Sequence, residues 1–521
     1  MVASEADTEA DDTLVGRESL RARLVPPIAG GSFWGWAGPL LVFALGTYLR
    51  FYRLGVPKSV IFDETYYVPD ALGILKFGTE HNYSANRNAL LVRGDPHIFT
   101  RGGEFVAHPP MAKIMIAAGE WIFGLSPFGW RFAVAAVGSL SILMLARIAR
   151  RMTRSTLLGC VAGLLLALDG LEFVMSRTAL LDIFVMFWVL AAFGCLLIDR
   201  DRTRGILADA AVPGGPPGPP PRLGVRWWLL AAGVCLGLAC ASKWNGVWYI
   251  PAFLALTVAW DIGAYRAAGF TAPAAGESAR YTAGRLGTMA VVPALAYLAT
   301  WSGWLFTATG YDREWAAQNG IHTPVVSALV SLYEYHKAIL GFNTGLTAHH
   351  PWQSKPWTWL VMSRPVSFFW CPTGGLHPRC GNGQAQEVLA VGTPLIWWTS
   401  IITLAICLGW WLTRRDWRAG AVLLGVAAGW LPWFAYAART QFYFYAVSFE
   451  PFLVLSITLC LGLLIGPATA SASRRVLGAS AAGTYLLAVL LNFAYLYPVV
   501  AAQVIPYAQW FSRMWNRQGW I

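Results

Sequence analysis

Long apolar stretches separated by polar loops dominate the chain from residue 34 onward. Eleven such stretches lie at residues 34–51, 130–149, 157–175, 179–198, 227–242, 245–262, 286–308, 392–413, 419–437, 444–465 and 476–497. Most approach the roughly 20 residues that an α-helix needs to cross the hydrocarbon core of a bilayer. A shorter apolar run at 111–124 is typical of a juxtamembrane or re-entrant helix. The pattern therefore predicts an all-α polytopic membrane protein with about 11 transmembrane helices.

The composition agrees with this class of protein and argues against a nucleic-acid partner. The chain of 521 residues is 56% hydrophobic and only 13% charged, whereas about a quarter of the residues of a soluble protein are charged. The net charge of +12 is not gathered into a basic patch interleaved with aromatic residues. It falls in loops between apolar segments, which is a topology signal and not a nucleic-acid footprint. We therefore expect no nucleic-acid partner.

The distribution of arginines predicts the orientation of the chain. They lie in alternate loops, as Arg147, Arg150, Arg151 and Arg154; Arg200, Arg202, Arg204, Arg222 and Arg226; Arg266, Arg280 and Arg285; Arg414, Arg415 and Arg418; and Arg474 and Arg475. Loops rich in Lys and Arg remain on the cytoplasmic side. The sequence thus predicts a multi-pass plasma-membrane protein with its N-terminus in the cytoplasm and its C-terminus outside.

This topology divides the chain into five predicted regions. They are a disordered cytoplasmic tail at 1–33, an N-terminal transmembrane module at 34–308 that includes a first outer loop at 52–129, a second large outer loop at 309–391, C-terminal transmembrane helices at 392–497 and an outer-face tail at 498–521. The N-terminal tail lacks the apolar core of a signal peptide. The sequence "PGGPPGPPP" predicts a linker without a packing role.

Three short outer loops each contain a single basic residue, although outer loops are normally poor in Lys and Arg. Arg177 lies in "EFVMSRTALLD", Lys243 in "ASKWNG" and Arg439 in "AARTQFYFYA". An interfacial side chain that snorkels to water explains any one of them. Three on one face instead predict a site for an anionic head group such as a lipid phosphate.

The first outer loop contributes an acidic pair, Asp63 and Glu64, in "IFDETYYVPDA". Glu172, Asp182 and His108 are predicted to lie on the same face. A carboxylate beside cations stays ionised and is able to act as a general base. An ion pair that only anchors the loop is the alternative interpretation. The functional interpretation is a transfer reaction in which a lipid phosphate leaves and an acceptor hydroxyl loses its proton.

The sequence does not require a metal or another cofactor. His108 and His349 lie in different loops, and no metal-ligand spacing such as C-x-x-C or H-E-x-x-H occurs. The absence of a G-x-x-x-x-G-K-[ST] motif argues against direct use of ATP. Cys371 and Cys380 bracket a polar outer loop, where their spacing permits either a disulfide or a reduced pair.

Several motifs occur in the order found in a known family. They are "FDETYYVPDA", "HPPMAKIMIAAGE" with "GWRF", "SRTALLDIFVMFW", "SKWNG", "HHPWQSKPWTW" with "SRP", and "RTQFYFYAVSFEPF". In this order they resemble the polyprenyl-phosphate-mannose (dolichyl-phosphate-mannose) protein O-mannosyltransferases, actinobacterial type. The resemblance implies a GT-C type glycosyltransferase fold. It also implies inverting transfer of mannose from polyprenyl-phosphate-mannose to Ser or Thr of secreted or membrane polypeptides on the extracytoplasmic side.

The resemblance also implies roles for individual residues. Asp63 takes the position of the base, with Glu64 as its partner. Arg131, Lys243 and Arg439 take donor-site positions. The argument from basic residues in short outer loops adds Arg177 to the donor site. The expected pocket comprises Tyr66, His108, Asp182, Trp244, Asn245, His349 and Gln353. The resemblance further makes the secretion translocon a plausible partner. The second outer loop is too short for the β-trefoil domain of eukaryotic members.

Two alternatives remain at the level of sequence. An enzyme of the same fold would add another lipid-linked sugar to a cell-wall glycan. A lipid or sugar transporter would instead place ionisable residues near the bilayer midplane. Because the charges here collect at predicted helix ends, we expect the enzyme.

Overall fold

A computed structural model of the protein describes residues 20–28, 31–211, 221–270, 275–371 and 380–521. The helices are α1 (Ser32–Phe51), α2 (Glu64–Phe77), α3 (Arg87–Val92), α4 (Met111–Phe123), α5 (Pro127–Thr153), α6 (Thr156–Ala167), α7 (Gly170–Met175), α8 (Asp182–Ala210), α9 (Trp227–Ser242), α10 (Tyr249–Ala267), α11 (Ala275–Thr300), α12 (Ser302–Phe306), α13 (Trp315–Gln318), α14 (Pro324–Gly345), α15 (Pro394–Arg414), α16 (Trp417–Trp430), α17 (Pro432–Ala435), α18 (Glu450–Ile465), α19 (Ala472–Val500) and α20 (Tyr507–Arg513). Short 3-10 helices span Trp244–Trp248, Pro356–Thr358 and Tyr443–Ser448.

Every predicted apolar segment is helical, which confirms the mainly helical membrane fold. Within the described residues, six helical stretches are long and apolar enough to cross a membrane, and three further apolar helices are shorter. The count of eleven spans therefore remains a prediction. The third segment is broken in two because the Asp169 side chain accepts a hydrogen bond from Leu171 N (2.8 Å) and caps α7.

Helix α8 lies at the centre of the bundle. It packs against α5, α9 and α10, and its residues 183–198 form an uncharged apolar run, as expected for a helix segment surrounded by other helices. Helix α18 packs against α15, α16 and α19 and is buried along most of its length. This arrangement brings the first residue of α8, Asp182, to one end of the bundle, where α9 ends and the 3-10 helix Trp244–Trp248 begins.

The two loops predicted to lie outside contain two small antiparallel sheets that the sequence did not lead us to predict. Strands β1 (His81–Tyr83) and β2 (Phe99–Gly103) form one, and β3 (Val366–Cys371), β4 (Gln384–Ala390) and β5 (Val504–Pro506) form the other in that order. The predicted outer-face tail at 498–521 thus contributes a strand to the second outer loop. Trp510 Nε1 also donates to Glu387 on β4 (2.6 Å).

The predicted disordered tail differs from the structure in residues 20–28. Residues 20–24 are helical, and Leu24 is only 2% exposed. Its carbonyl accepts a hydrogen bond from Arg204 Nε (2.7 Å), while Arg23 donates to the carbonyl of Ala267 (3.0 Å). Apolar packing of this segment onto α8 and α10 explains the difference. Residues 1–19 and the Pro/Gly linker lie outside the described residues.

Cys371 and Cys380 form a disulfide with a Cα–Cα distance of 6.4 Å. The bond closes the loop between β3 and β4. We expect the double substitution Cys371→Ser/Cys380→Ser to lower the free energy of unfolding by ~2–4 kcal/mol, because the unfolded chain regains the freedom of that loop. Thermal unfolding of the detergent-purified protein measures the change. Dithiothreitol should lower the melting temperature of the wild type and leave that of the variant unchanged; equal sensitivity of both would contradict the prediction.

Candidate active site

The adjacent residues Asp63 and Glu64 have different surroundings. Helix α2 begins at Glu64, and Asp63 lies in the turn before it. The Glu64 side chain is fully buried, whereas that of Asp63 is half-buried. The two carboxylates of the acidic pair thus have different environments, and their predicted joint role in catalysis stays a prediction.

Glu64 forms a buried ion pair with Arg131 of α5. Arg131 Nε donates to Glu64 Oε1 (2.7 Å) and Arg131 Nη2 to Glu64 Oε2 (2.8 Å). The same guanidinium donates to the carbonyls of Pro57 and Ser59, both at 2.9 Å. Glu64 also accepts from the backbone N–H of Ala179 (3.1 Å). Because the planar guanidinium is already engaged on several sides, this pair organises the backbone and has little capacity left for a donor phosphate.

Within the described residues, the Asp63 carboxylate makes no hydrogen bond and no ion pair. Burial raises its pKa to about 6; the positive charge of Lys243 opposes that rise and the negative charge of Asp182 adds to it. A half-buried carboxylate that has no partner and a pKa near neutrality has the properties of a general base.

The backbone that precedes Asp63 is held in an uncommon conformation. Phe62 has φ +45°, in the left-handed region that a bulky side chain rarely adopts. Its ring stacks on Phe368 at 4.6 Å and meets Phe444 edge-on at 5.7 Å and His350 at 6.5 Å. This aromatic packing supports the strained turn that presents Asp63.

The position of Lys243 follows from the way α9 ends. Lys243 leaves the helix in an extended conformation (φ −161°, ψ 141°), and the 3-10 helix Trp244–Trp248 then turns the chain back. A Cβ at Gly246 would lie 2.8 Å from the backbone carbon of Ala239, so only glycine permits this close return. The "SKWNG" sequence thus encodes a tight turn with Lys243 at its start.

Lys243 pairs with Asp182, which begins α8. Its Nζ lies 2.9 Å from each carboxylate oxygen of Asp182 and 4.0 Å from the centroid of the Tyr445 ring. Both charged side chains are nearly buried. The Lys243 ammonium group is thus held between a carboxylate and an aromatic face.

A cavity of about 210 Å³ unites several residues predicted from the sequence. Its lining includes His108, Lys243, Trp244, Asn245 and Arg439. These residues come from the first outer loop, the α9 turn and the loop before the Tyr443–Ser448 helix. The tertiary fold therefore brings together side chains that are spread over more than 300 positions of the sequence.

Arg439 is positioned in this cavity by Asn343 of α14. Arg439 Nε donates to the Asn343 carbonyl (2.6 Å) and Nη2 to its Oδ1 (3.1 Å). Asn343 Nδ2 in turn donates to the carbonyl of Ala107 (3.0 Å), next to His108. In the described part of the chain, Arg439 Nη1 has no hydrogen-bond partner, so one edge of the guanidinium remains available for an anion.

Arg177 lies outside the lining of the cavity that contains Lys243 and Arg439. Its guanidinium donates to the backbone carbonyls of Arg50 (2.6 Å), Tyr52 (2.8 Å) and Arg53 (3.0 Å). These carbonyls belong to the end of α1, where helical acceptors lack partners. Arg177 therefore caps α1, and the geometry favours this role over phosphate binding. Glu172 is likewise used internally, in a buried ion pair with Arg50.

Four other expected pocket residues do not line this cavity: Asp182, which pairs with Lys243, and Tyr66, His349 and Gln353. Tyr66 is 52% exposed. The described residues that line the cavity include neither His349, which is exposed, nor Gln353, whose backbone N–H donates to the His350 carbonyl (3.0 Å). His350 is the histidine that packs near the site, with its ring 5.0 Å from that of Phe442.

Sequence reasoning missed Tyr67, Asn343 and Tyr445. The Tyr67 ring lies 6.3 Å from the His108 ring, and Tyr67 is four residues after Asp63, on the same face of the helical turn. That i, i+4 spacing was the available signal for choosing Tyr67 over Tyr66. Asn343 had no comparable signal, because α14 lies about 100 residues from Arg439 in the chain.

His108 is expected to be neutral. Burial lowers the pKa of its imidazole well below the usual value, and the positive charges of Lys243, Lys113 and Arg439 lower it further. Among the described residues, no three His, Cys, Asp or Glu side chains form a group able to hold a metal ion. The cavity thus contains two cations, a neutral histidine and aromatic rings, and the Asp63 carboxylate lies within electrostatic range of one of these cations, Lys243.

The fold is shared with known membrane glycosyltransferases. The structure of the Saccharomyces cerevisiae protein O-mannosyltransferase Pmt1-Pmt2 complex bound to the sugar donor matches with a TM-score of 0.71 at 14% identity, over 96% of this chain and 94% of that chain. ArnT from Cupriavidus metallidurans bound to undecaprenyl phosphate matches with a TM-score of 0.50 at 15% identity, over 92% and 72% of the two chains. These likenesses place the protein among multi-pass membrane proteins of the GT-C fold class.

Sequence comparison identifies the family. The model for dolichyl-phosphate-mannose-protein mannosyltransferase matches residues 40–303, and that for the C-terminal four TMM region of protein-O-mannosyltransferase matches residues 328–520. The polyprenol-phosphate-mannose–protein mannosyltransferase of Mycolicibacterium smegmatis (strain MKD8) is 39% identical over 499 residues, 92% of each chain. That of Mycobacterium tuberculosis (strain CDC 1551 / Oshkosh) is 39% identical over 92% of this chain and 91% of its own. The chain belongs to the dolichyl-phosphate-mannose-protein mannosyltransferase family, which confirms the resemblance seen in its motifs.

The buried ion pair leads to a prediction about stability. Glu64→Gln leaves the Arg131 charge buried and unpaired, so we expect the free energy of unfolding to fall by about 3–5 kcal/mol. Chemical denaturation of the detergent-purified protein measures the loss. The matched control is Glu334→Gln, which removes the partly exposed partner of the exposed Lys337 and should change stability little. Equal stability of Glu64→Gln and wild type would remove the structural role assigned to Glu64.

Proposed function

We propose that the protein transfers mannose from polyprenyl-phosphate-mannose to Ser or Thr hydroxyls of polypeptides on the extracytoplasmic side, with Asp63 as the general base. The observation that carries this assignment of the base is the environment of the Asp63 carboxylate. It has no protein partner among the described residues, whereas Glu64 and Asp182 are paired with Arg131 and Lys243. The reaction class rests on the family.

The proposed reaction is a single displacement at the anomeric carbon. The acceptor oxygen attacks that carbon while the bond between the carbon and the phosphate oxygen breaks, and the Asp63 carboxylate takes the hydroxyl proton. The products are the mannosylated polypeptide, with inverted anomeric configuration, and polyprenyl phosphate. No external energy source is needed, because the phosphate is a good leaving group.

The leaving phosphate requires stabilisation as its charge develops. Arg439 offers the edge of a guanidinium that Asn343 fixes in place, and Lys243 has a third N–H beyond the two that point to Asp182. Both residues line the 210 Å³ cavity with Trp244. In this proposal the two cations hold the phosphate, while the aromatic walls contact the sugar and the first isoprene units. Arg131 and Arg177 act on the backbone instead.

The cytoplasmic position of the N-terminus and the plasma-membrane location belong to the same proposal. The arginine-rich loops support them. An outer site would meet polypeptides as they emerge, which keeps a secretion channel as a candidate partner.

The base assignment predicts the effect of one substitution. Asp63→Asn should reduce the rate of mannose transfer to a Ser/Thr peptide by about 10²–10⁴-fold, the usual contribution of a general base. Transfer from radiolabelled polyprenyl-phosphate-mannose in proteoliposomes measures it, and binding of the donor should persist. The control is Asp95→Asn, which removes an exposed carboxylate of the same loop that pairs with His97. Near-normal turnover of Asp63→Asn would reject the assignment.

The raised pKa predicts the pH dependence. Only the deprotonated carboxylate accepts a proton, so kcat/KM should rise with pH and level off above about 6, the pKa of Asp63. Below that pH the rate should fall about tenfold per pH unit, as expected for loss of a single base. Initial rates at saturating peptide and low donor concentration give the profile. A profile without an inflection around pH 6 would contradict the role of Asp63.

Arg439 and Arg177 should differ in their kinetic effects. Arg439→Gln should raise the KM for the lipid donor and lower kcat, because it removes a contact to the leaving phosphate, with little change in melting temperature. Arg177→Gln should lower the melting temperature, since the α1 carbonyls lose their donors. Steady-state kinetics and thermal unfolding of both variants separate the two roles. The opposite pattern would reverse the assignments.

A further inference from the structure

A second and larger cavity lies at the other end of the bundle. Its volume is about 1010 Å³. Two helical stretches connect the sites: α8 begins at Asp182 near the candidate active site, and the 3-10 helix that precedes α10 lines that site with Val247 and Trp248, whereas Arg204 of α8 and Ala267 of α10 line the second cavity. Asp182 and Arg204 are 22 residues apart on α8, about 33 Å at 1.5 Å per residue. Because the hydrocarbon core is about 30 Å thick, the second cavity faces the opposite leaflet.

Arginine side chains dominate the charge of this cavity. Its lining contains Arg23, Arg154, Arg200, Arg204, Arg415 and Arg418. Among the described lining residues, Asp416 is the single carboxylate, and it is paired with Arg418. Asp201, adjacent to the cavity, neutralises part of the charge of Arg154 and Arg200. The cations nevertheless outnumber the carboxylates, so the cavity is suited to an anion with more than one charge.

Arg200 is the central cation of this group. It is only 6% exposed, and its guanidinium lies 3.6 Å from the centroid of the Trp417 ring and 5.6 Å from that of Trp260. Its one hydrogen bond to a carboxylate, from Nη1 to Asp201, is 3.3 Å long, and its Nε has no partner. Burying a guanidinium whose N–H group has no acceptor costs free energy unless a ligand or water accepts that hydrogen bond.

The remaining walls of the cavity are apolar. Leu256, Ala259 and Gly263 of α10 face Leu408 of α15 and Leu423 and Leu424 of α16. A Cβ built on Gly263 meets no atom within 4 Å, so the space beside it is open. Arginines beside an aliphatic cleft match an amphipathic molecule that has an anionic head and a hydrocarbon tail.

We propose that this cavity binds the head group and the first acyl segments of an anionic phospholipid from the leaflet opposite the active site. The guanidinium groups match phosphate oxygens in charge and geometry, and a free phosphate would leave the aliphatic walls without a partner. Because the segment around Leu24 forms one wall, the bound lipid would also hold the N-terminal region against α8 and α10. This site would be separate from that of the mannosyl donor.

Lipid retention by the full-length protein tests the proposal. The protein is reconstituted into nanodiscs of phosphatidylcholine with a tenth of cardiolipin, and the lipids that remain bound are counted by native mass spectrometry. We expect cardiolipin to be retained in preference to phosphatidylcholine. The double variant Arg204→Gln/Arg415→Gln should retain it about 30-fold less, since each arginine near an anionic lipid surface strengthens binding by about fivefold. Gly263→Phe keeps all the arginines but fills the open space, and should lower retention as well.

The matched control is Arg474→Gln. Arg474 is an exposed arginine that donates to the carbonyl of Leu464 and does not line the cavity, so cardiolipin retention should be unchanged. Equal retention of both lipids by the wild type, or wild-type retention by both cavity variants, would overturn the proposal. Inorganic phosphate that raises the melting temperature as much as cardiolipin does would overturn the lipid assignment, because the site would then bind the free anion.

Discussion

The buried ion pair between Glu64 and Arg131 is the interaction on which the candidate active site depends. Glu64 accepts hydrogen bonds from Arg131 of α5 and from the backbone N–H groups of Ile61 and Ala179. Removing two charges from water costs free energy, and this cost is offset only when the remaining hydrogen-bonding groups of the pair are satisfied. The remaining N–H groups of Arg131 are satisfied, because they donate to the carbonyls of Pro57 and neighbouring residues in the α1–α2 loop. One carboxylate thus joins that loop, α5 and the segment before α8.

This anchor also determines the surroundings of the preceding residue. Because Glu64 points inward, the turn directs Asp63 to the side where Lys243 and Asp182 act on it electrostatically. Two neighbouring carboxylates thereby acquire different properties through environment alone, the principle by which enzymes separate an acid or base from a structural charge. The strained φ of Phe62 fits this arrangement, since four surrounding aromatic rings stabilise a conformation that the isolated chain would avoid.

The sequence predicted the helices well because apolar length is a strong signal in a membrane. It also placed Lys243, Arg439 and His108 together, since residues in loops of one leaflet share one face. It did not distinguish Arg177, which caps α1, from Arg439, which lines the cavity, because both are single arginines in short outer loops. That distinction depends on which carbonyl groups lie within reach. The β3–β5 sheet was missed for a related reason: its strands are short and come from distant parts of the chain.

The irregular backbone near the site has a physical explanation that links the fold to the chemistry. A helix satisfies its own N–H and C=O groups, so a bilayer favours unbroken helices. Breaks require protein neighbours, and the 3-10 helices Trp244–Trp248 and Tyr443–Ser448 both pack against α8 at the end where Asp182 lies. These breaks let Lys243 and Tyr445 leave the regular helical spacing and meet, with Nζ 4.0 Å from the ring. Lys243 and Tyr445 come from different segments of the chain, and the bundle assembles a cation site here because α8 packs against both irregular segments.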